Sequence, residues 1–590
     1  MIKDNISCLK RLWDLNGGKC ILKTPVFLIS ITVSAALFLF SGSSVSSGSL
    51  LHTGADRVGA YEDDFITDNE AEKSSFNSDI NSRFEPVFPK SFDLRKLGLV
   101  SETRTQGSYN TCWAICAVES LETQILKNEY EKSPLLSPWH LTFFTYNGEN
   151  PFFSPTSDVF KAGGTNTLAS AVLSRWIGPV SESKAPYNQS KSLPENMKNE
   201  CEYKVTDILN LHPWISEHKK YSTEFIKELI YDKNSVSCFI NSSKNYFTSD
   251  TCSFFCFSPS KVTHAVLLVG WDDNFPKENF KGNTQPQNNG AWLVKNSWGE
   301  DWGDNGYCWL SYEDKSLCEA ACYFCKPSDA YESMLSYDEF GWIASISPDE
   351  AQDNTSGYMG SIYTADSPVI LSAASFYTTE ENADYEISIF KNINDINDPV
   401  SGTPVLNISG NEKYTGYHTV NFPADLYIEK NTSFSVVIKL KNPEYPYMIA
   451  SEASSALISQ NNTQSKIFFY DQSKNKPRQS FVSCDGKVWH DTCNVLYTYK
   501  YPEKLDLAEE ISGLKSVKSG DVCLKVLTSS FLRGDTDSNN IIEPSDLKEL
   551  LDIFFHDLKE EKKQYDVNQD NSINILDIIR LKSILNNEYI

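Results

Sequence analysis

The length, composition and charge of the chain already limit what it can be. With 590 residues it exceeds what one hydrophobic core usually holds, so about two to four domains are expected. Hydrophobic residues make up 40% of the chain and aromatic residues 13%, which excludes a mostly disordered protein. The formal net charge of -25 argues against nucleic acid or an anionic membrane as a partner, and it suits calcium sites.

Residues 1–48 are predicted to be a signal peptide. Basic residues precede an uncharged run at 24–40, and small residues follow at 41–48, which are the three parts of an export signal. The alternative is an uncleaved membrane anchor, because the apolar run is at the lower length limit of a spanning helix. Residues 49–87 are polar, acidic and Ser-rich, which predicts either a flexible linker or a short propeptide. The mature protein is therefore expected to be secreted.

Compact patterning begins near Phe88 and indicates an α+β domain. Residues 113–122 carry apolar side chains at three- and four-residue spacing and predict a core-facing helix, whereas 265–269 and 291–294 predict strands. Cys112 opens the helix, where the helix N-terminus favours the nucleophilic thiolate. Gln106 could add a side-chain N–H to the backbone N–H of Cys112, and together they would stabilise an oxyanion.

A candidate base and a residue that could orient it follow Cys112 later in the chain. His264 begins a predicted strand and could take the thiol proton, then give it to the leaving amine. Asn296 could orient the imidazole through its amide, and Trp298 could shield that bond from water. The pattern predicts nucleophilic catalysis that needs no cofactor.

These motifs resemble those of the papain family of cysteine peptidases. The runs QGS at 106–108, CWA at 112–114 and KNSWG at 295–299 carry the resemblance, and FPKSFDLR at 88–95 resembles the mature N-terminus of that family. The resemblance implies an α+β papain-like fold over residues 88–326. It also implies that Gly163 and Gly164 pair with the backbone of the substrate, Gly164 with the residue two before the cleaved bond.

Three positions depart from the family pattern. Tyr109 and Lys161 stand where the family has two disulfide-bonded cysteines, and the coordinated loss predicts a less constrained cleft wall. Thr263 precedes the candidate base, where Asp or Asn is common.

The alternative function is a non-catalytic surface protein that uses the fold for binding.

The remaining cysteines leave several possibilities open. Export permits disulfides, but the 15 cysteines of the chain do not define a pairing. The spacings of Cys252 with Cys256, and of Cys318 with Cys322 and Cys325, fit zinc ligands, but structural disulfides or unpaired thiols are the favoured interpretation. Cys484 and Cys493 could bridge a hairpin.

Residues 327–528 have the pattern of an antiparallel β-sandwich. Short alternating runs such as 385–390 and 433–438 are separated by turns rich in Asn, Asp, Gly and Pro. The runs YDEFGW at 337–342 and SFYT at 375–378 resemble a lectin-like domain that follows papain-type domains in some bacterial surface proteins. Glycans are therefore candidate partners through Tyr358, Tyr363 and Trp489, although aromatic residues in a sandwich more often pack in its core.

The last part of the chain contains two similar acidic loops, at 535–546 and 566–577. Oxygen ligands recur at positions 1, 3, 5, 9 and 12, with a carbonyl at position 7, which suits calcium. Asn540 and Asn571 replace the usual glycine at position 6, since Asn tolerates left-handed geometry. The predicted ligands are Asp535, Asp537, Asn539, Ile541, Glu543 and Asp546 in the first loop, and Asp566, Asn568, Asp570, Ser572, Asn574 and Asp577 in the second.

Each loop is followed by an apolar-periodic helix, and the paired units resemble a dockerin. This resemblance implies a small all-α module over residues 529–590 with two structural Ca²⁺ ions, which docks onto a cohesin domain of a scaffoldin in a cellulosome-like complex. The partner-reading positions hold Pro544 and Ser545 in one repeat and Ile575 and Leu576 in the other, so the two faces are expected to differ. The adhesion-like run RGD at 533–535 is taken as accidental.

Overall fold

The computed structural model describes most of the chain from Phe88 onward. The described residues are 26–30, 88–146, 158–211, 222–281, 284–339, 341–342, 344–348, 354–453, 476–494, 496–499, 517–556, 563–568 and 572–586.

Of the predicted leader, only strand β1 (Val26–Ser30) is described. It pairs in parallel with residues 496–499 and antiparallel with residues 345–346. Cleavage of the leader stays a prediction. Within the described ranges, no helix is both long and apolar enough to cross a bilayer.

The first domain packs helices against a strand layer. Its central helix, α1 (Cys112–Lys127), is buried along almost its whole length, which confirms the predicted core helix. Thr165 caps α3 by accepting the N–H of Leu168, as expected for Thr at a helix start. The other helices of this domain are α2 (Pro138–Tyr146), α3 (Asn166–Leu173) and α4 (Thr223–Glu228), the last continued by a π-helical turn (Leu229–Lys233).

The strands of the first domain bring the segments around positions 264 and 296 side by side. The strands are β2 (Ser91–Asp93), β3 (Tyr203–Leu211), β4 (Val236–Ile240), β5 (Phe247–Thr248), β6 (Ser253–Phe254), β7 (His264–Asp272), β8 (Ala291–Lys295), β9 (Tyr307–Ser311) and β10 (Cys318–Pro327). In the sheet, β4, β7, β8 and β9 are consecutive antiparallel neighbours, and α1 packs against β7 and β10.

The second domain is an antiparallel sandwich, as its alternating pattern predicts. Its strands are β11 (Met334–Ser336), β12 (Ala344–Ile346), β13 (Ser356–Thr364), β14 (Val369–Thr378), β15 (Ala383–Lys391), β16 (Thr403–Glu412), β17 (Gly416–Ile428), β18 (Ser433–Lys441), β19 (Ile449–Ala453), β20 (Ser480–Ser483), β21 (His490–Asp491), β22 (Leu496–Tyr499), β23 (Val517–Val522) and β24 (Leu524–Ser529). One sheet has the order β11-β24-β14-β17 and the other β16-β15-β18-β13-β20-β21, and buried apolar residues of both sheets form one core.

The two domains share one continuous sheet. Gly416 and Tyr417 of β17 pair with Leu209 and Ile208 of β3, so the edge of the sandwich extends the strand layer of the first domain. Gly416 has φ +141°, and a Cβ added there would lie 1.9 Å from the carbonyl oxygen of Ile208. Only glycine permits this approach of the two backbones.

The C-terminal helices α5 (Pro544–His556) and α6 (Ile575–Leu585) form a small module that is packed on the sandwich. Arg533 is 8% exposed and pairs with buried Asp425 at 2.6 Å, and Arg580 donates to the carbonyl of Pro423 at 2.7 Å. Ala424 of the sandwich belongs to the core of the module. The buried Arg533 is not available as part of an adhesion tripeptide.

Replacing Gly416 by alanine should loosen the joint between the two domains. The left-handed φ and the clash with Ile208 should lower the free energy of unfolding by at least about 2 kcal/mol. Calorimetric melting would measure the loss. The control is Gly360→Ala in β13, where an added Cβ meets only side-chain atoms, at 3.3 Å, and equal losses in both variants would contradict the joint.

Candidate active site

Cys112 is the first residue of α1 and is half-buried. Its Sγ accepts the N–H of Ala265, the residue after His264, at 3.5 Å, so the start of β7 lies against the start of α1. Burial raises the pKa of the Cys112 thiol, whereas the N–H groups of Ala265, Trp113 and Cys112 itself act in the opposite direction. Burial therefore favours the neutral form of the thiol, and a neighbouring base would help to ionise it.

The imidazole of His264 is buried and held in one tautomer. Its Nε2 lies 2.8 Å from Oδ1 of Asn296, and the same oxygen accepts the backbone N–H of Ser297 at 2.8 Å. Because that oxygen can only accept, Nε2 carries the proton and Nδ1 of the neutral ring is left as the basic atom. Burial lowers the pKa of His264 to about 4, and the bond to Asn296 opposes this shift.

One tryptophan covers the imidazole, and a second tryptophan packs against the first. The ring of Trp298 stacks on His264 with centroids 4.8 Å apart, and Trp302 meets Trp298 edge-on at 4.8 Å. The bond between His264 and Asn296 thus lies in apolar surroundings, where a hydrogen bond is stronger than in water.

Gln106 is oriented by a residue that the sequence analysis missed. Ser297 Oγ donates to Oε1 of Gln106 at 2.8 Å, and the Ser297 carbonyl accepts the backbone N–H of Gln106 at 2.8 Å. Nε2 of Gln106 donates one N–H to the carbonyl of Tyr109 at 2.7 Å, which leaves a second N–H. In the sequence, only the position of Ser297 next to Asn296 could have indicated this role.

The glycine pair lies beside the nucleophile. A Cβ added to Gly164 would lie 2.1 Å from the ring of Trp113, the residue after Cys112. Gly163 accepts the hydroxyl of Tyr146 through its carbonyl at 2.8 Å. The backbone of Gly164 therefore lies against the indole ring of Trp113 with no room for a side chain.

The cleft wall that was expected to be less constrained is tied in another way. Asn110 donates its backbone N–H to the carbonyl of Phe160 at 2.9 Å and its side chain to the carbonyl of Lys161 at 2.8 Å. The ring of Tyr109 packs edge-on against Trp139, and Lys191 lies over Tyr109 at 4.1 Å. These contacts span the positions where the family has a disulfide.

A buried ion pair lies beneath the site. Lys295, next to Asn296, pairs with Glu119 of α1 at 2.8 Å, and their side chains are 0% and 2% exposed. Lys295 also donates to Ser101, whose hydroxyl donates to Glu122 on the same helix. Neither charge was singled out in the sequence analysis.

The two acidic loops have similar geometry. Asp546 accepts the N–H groups of Thr536 and Glu543, and Asp577 accepts those of Asn568 and Asn574. In the first loop, carboxylate oxygens of Asp535, Asp537 and Asp546 lie within 4.8 Å of one another and could hold a metal ion, and hard oxygen donors of this kind fit Ca²⁺. Asp570 lies outside the described residues.

No zinc cluster is found among the cysteines of the described ranges, where the one group with metal-binding spacing is the aspartate set of the first loop. Cys252 and Cys256 are free cysteines, and no disulfide joins Cys484 to Cys493 in the described part of the chain. Of the aromatic residues considered for glycans, Tyr363 is buried and stacks on Tyr337, which is a packing role.

In a Cys112→Ala variant, His264 should stay neutral below its ordinary pKa of 6.5, because burial brings that pKa to about 4 in the folded state. Between these values the unfolded state binds the extra proton, so stability should fall as the pH drops from 6.5 towards 4. Adding His264→Phe should remove about 2–3 kcal/mol of that loss, as urea denaturation would show. Parallel pH profiles in the two variants would contradict a buried neutral imidazole.

Comparisons with curated proteins place the first domain among cysteine proteases. Pro-cathepsin H of Medicago truncatula is 28% identical over 244 residues, covering 40% of this chain and 60% of the relative. Cathepsin S of Bos taurus is 30% identical over 257 residues, covering 42% of this chain and 66% of the relative. The chain thus spans less than two thirds of the length of these relatives.

Solved structures match over both larger domains. The clostridial cysteine protease Cwp84 after propeptide cleavage aligns with a TM-score of 0.59 and 25% identity, covering 74% of this chain and 99% of that chain. The cysteine protease and lectin-like domains of Cwp84, a surface layer associated protein of Clostridium difficile, align with a TM-score of 0.59 and 24% identity, covering 75% and 89%.

Family models match the same two regions. One described as papain family cysteine protease matches residues 88–327, and one described as lectin like domain matches residues 334–501. The chain therefore carries a papain-family cysteine peptidase domain followed by a lectin-like domain.

Proposed function

We propose that this protein is a secreted endopeptidase that hydrolyses peptide bonds through a thioester acyl-enzyme. Cys112 is the nucleophile, His264 the base and acid, Asn296 the orienting group, and Gln106 an oxyanion donor. The observation that carries the proposal is the bond of His264 Nε2 to Asn296, which leaves Nδ1 as the basic atom while Cys112 contacts the next residue along β7.

In the first step, Nδ1 of His264 takes the proton of Cys112 and the thiolate attacks the peptide carbonyl carbon. The carbonyl oxygen becomes an oxyanion, which the N–H of Cys112 and the second N–H of Gln106 would stabilise. Collapse breaks the C–N bond, and the amine leaves with the proton from His264. Cys112 then holds the acyl group as a thioester.

In the second step, His264 takes a proton from water and the resulting hydroxide attacks the thioester carbonyl. The C–S bond breaks, the thiolate recovers the proton from the imidazolium, and the carboxylic acid product leaves. Each proton removed is returned, so the chemistry needs no cofactor. Gly163 and Gly164 would hold the substrate backbone beside Trp113, and Trp298 would bound the cleft above His264.

The alternative is a non-catalytic surface protein that only binds through these domains. The oriented imidazole and the hydrogen-bonded Gln106 favour the enzyme, because a binding surface does not require a buried histidine in a fixed tautomer. Export is supported by the predicted leader, and Cwp84 is described as surface layer associated.

A Cys112→Ala variant should lose all hydrolysis of a peptide substrate and all labelling by an epoxysuccinyl peptide, because both need the thiolate. Mass mapping of the labelled wild-type protein should place the adduct on Cys112. The matched control is Cys252→Ala, which removes another half-exposed thiol of the same domain and should keep both activities. Turnover retained in Cys112→Ala would identify a different nucleophile and sink the proposal.

We further propose that the C-terminal module is a calcium-dependent dockerin that binds a cohesin domain of a scaffoldin and holds the peptidase in a cellulosome-like complex. Exposed apolar side chains on α6 support a docking role, since Ile575, Leu576 and Ile579 are 48%, 51% and 57% exposed. The first repeat has Pro544 and Ser545 at the corresponding start of α5, which favours α6 as the docking face.

The residues predicted for each loop would hold one Ca²⁺. Bound there, Ca²⁺ would neutralise the clustered carboxylates and fix the loop ahead of its helix. The fit is supported in the first loop by Asp535, Asp537 and Asp546. In the second loop it is supported by the bond of Asp577 to the N–H of Asn574, which matches the bond of Asp546 to the N–H of Glu543.

An Asp537→Ala variant should bind calcium at least about tenfold more weakly at the first loop, because a position-3 carboxylate is lost. Asp537 is exposed and bonds to Asn539 within its own loop, so the fold should persist. Calorimetric titration of calcium measures the change, with Asp366→Ala, an exposed aspartate of the sandwich, as the control. Equal affinities in the two variants would overturn the calcium assignment.

A further inference from the structure

The hydroxyl of Tyr187 joins the two segments that carry the oxyanion donors. It donates to the backbone carbonyl of Gln106 at 2.9 Å and is hydrogen-bonded to the hydroxyl of Thr111, the residue before Cys112. A phenol has one proton, and the carbonyl of Gln106 can only accept. Thr111 therefore donates to Tyr187, and Tyr187 donates to Gln106.

Thr111 is the cap residue of α1, yet its side chain makes no capping bond. It is fully buried, and its carbonyl accepts the N–H of Ile115. The hydroxyl that would normally cap the helix is committed to Tyr187 instead. The peptide unit between Thr111 and Cys112, which supplies one oxyanion N–H, is thus held from outside the helix.

The segment around Tyr187 is placed by contacts that do not involve its hydroxyl. Its backbone N–H donates to Glu182 at 2.5 Å, and its ring packs edge-on against Trp139 at 4.9 Å. Ser137 donates to the carbonyl of Ala185 at 2.5 Å. Removal of the hydroxyl alone should leave this segment where it is.

Several bonds hold Gln106, whose backbone carbonyl also accepts the N–H of Tyr109 at 3.2 Å. Ser297 binds its backbone N–H and its side-chain oxygen, whereas Tyr187 binds its backbone carbonyl. Burial raises the pKa of Tyr187 to about 12, so the hydroxyl remains a donor at neutral pH. Ser297 and Tyr187 therefore act on different atoms of the same residue.

We infer that Tyr187 is a positioning residue of the oxyanion hole, which holds the backbone of Gln106 and of Thr111 so that the N–H of Cys112 and the side chain of Gln106 converge on one point. The inference rests on the proposed peptidase function. It assigns a role in the reaction to a side chain remote in sequence from the candidate catalytic residues.

The test uses Tyr187→Phe in the full chain, with Tyr203→Phe as the control, since Tyr203 donates its hydroxyl to Glu131 in the same domain. Tyr187→Phe should lower kcat about tenfold with little change in KM. The oxyanion forms only in the transition state, so a misplaced N–H donor weakens the stabilisation of that state and not the binding of the substrate. A peptide aldehyde, whose adduct oxygen occupies the oxyanion hole, should bind about tenfold more weakly. Alkylation of Cys112 by iodoacetamide, which forms no oxyanion, should be unchanged.

A double variant separates positioning from simple loss of packing. Thr111→Val and Tyr187→Phe should be non-additive in kcat, since they break one hydrogen-bonded chain, and Thr111→Ser should restore the rate. Wild-type kinetics in Tyr187→Phe would overturn the inference, as would an equal fall in aldehyde binding and alkylation. Absence of turnover and of aldehyde binding in the wild-type protein would overturn the proposed function, and the inference with it.

Discussion

The buried ion pair between Lys295 and Glu119 is the constraint on which the site depends. Glu119 lies about two turns along α1 from Cys112, and Lys295 is the residue before Asn296. Two charges without access to water are tolerated only while they face each other, and separating them would strand both. The helix that carries the thiol and the strand that leads to Asn296 are therefore locked in register, and the bonds of Asn296 to His264 and of Ser297 to Gln106 follow from that register.

The joint between the domains has a different physical basis. Here two backbones meet edge to edge, and the pairing of β17 with β3 requires a glycine at position 416. A cationic side chain reinforces the junction, since Arg175 of the first domain donates to the carbonyl of Glu339 in the second. The lectin-like domain thus completes the strand layer of the peptidase domain.

Local patterns predicted the parts that depend on neighbouring residues. The helix after Cys112, the strands after positions 264 and 290, and the alternating strands of the sandwich all follow from periodicity within a short window. Contacts between distant segments could not be predicted in this way. Nothing near position 187 indicates that its hydroxyl meets Gln106. The cleft wall was expected to be loose because the bonds that replace the disulfide join Asn110 to residues 160 and 161, which are distant in sequence.

The packing of the C-terminal module on the sandwich bears on how the peptidase would work inside an assembly. Arg533 is buried against Asp425 and Arg580 is bonded to the carbonyl of Pro423, so these contacts hold the module against the sandwich. A partner bound to α6 would therefore fix the orientation of the cleft as well as its location. If the module docks as proposed, the substrates within reach would be those that pass through one sector around the attachment point.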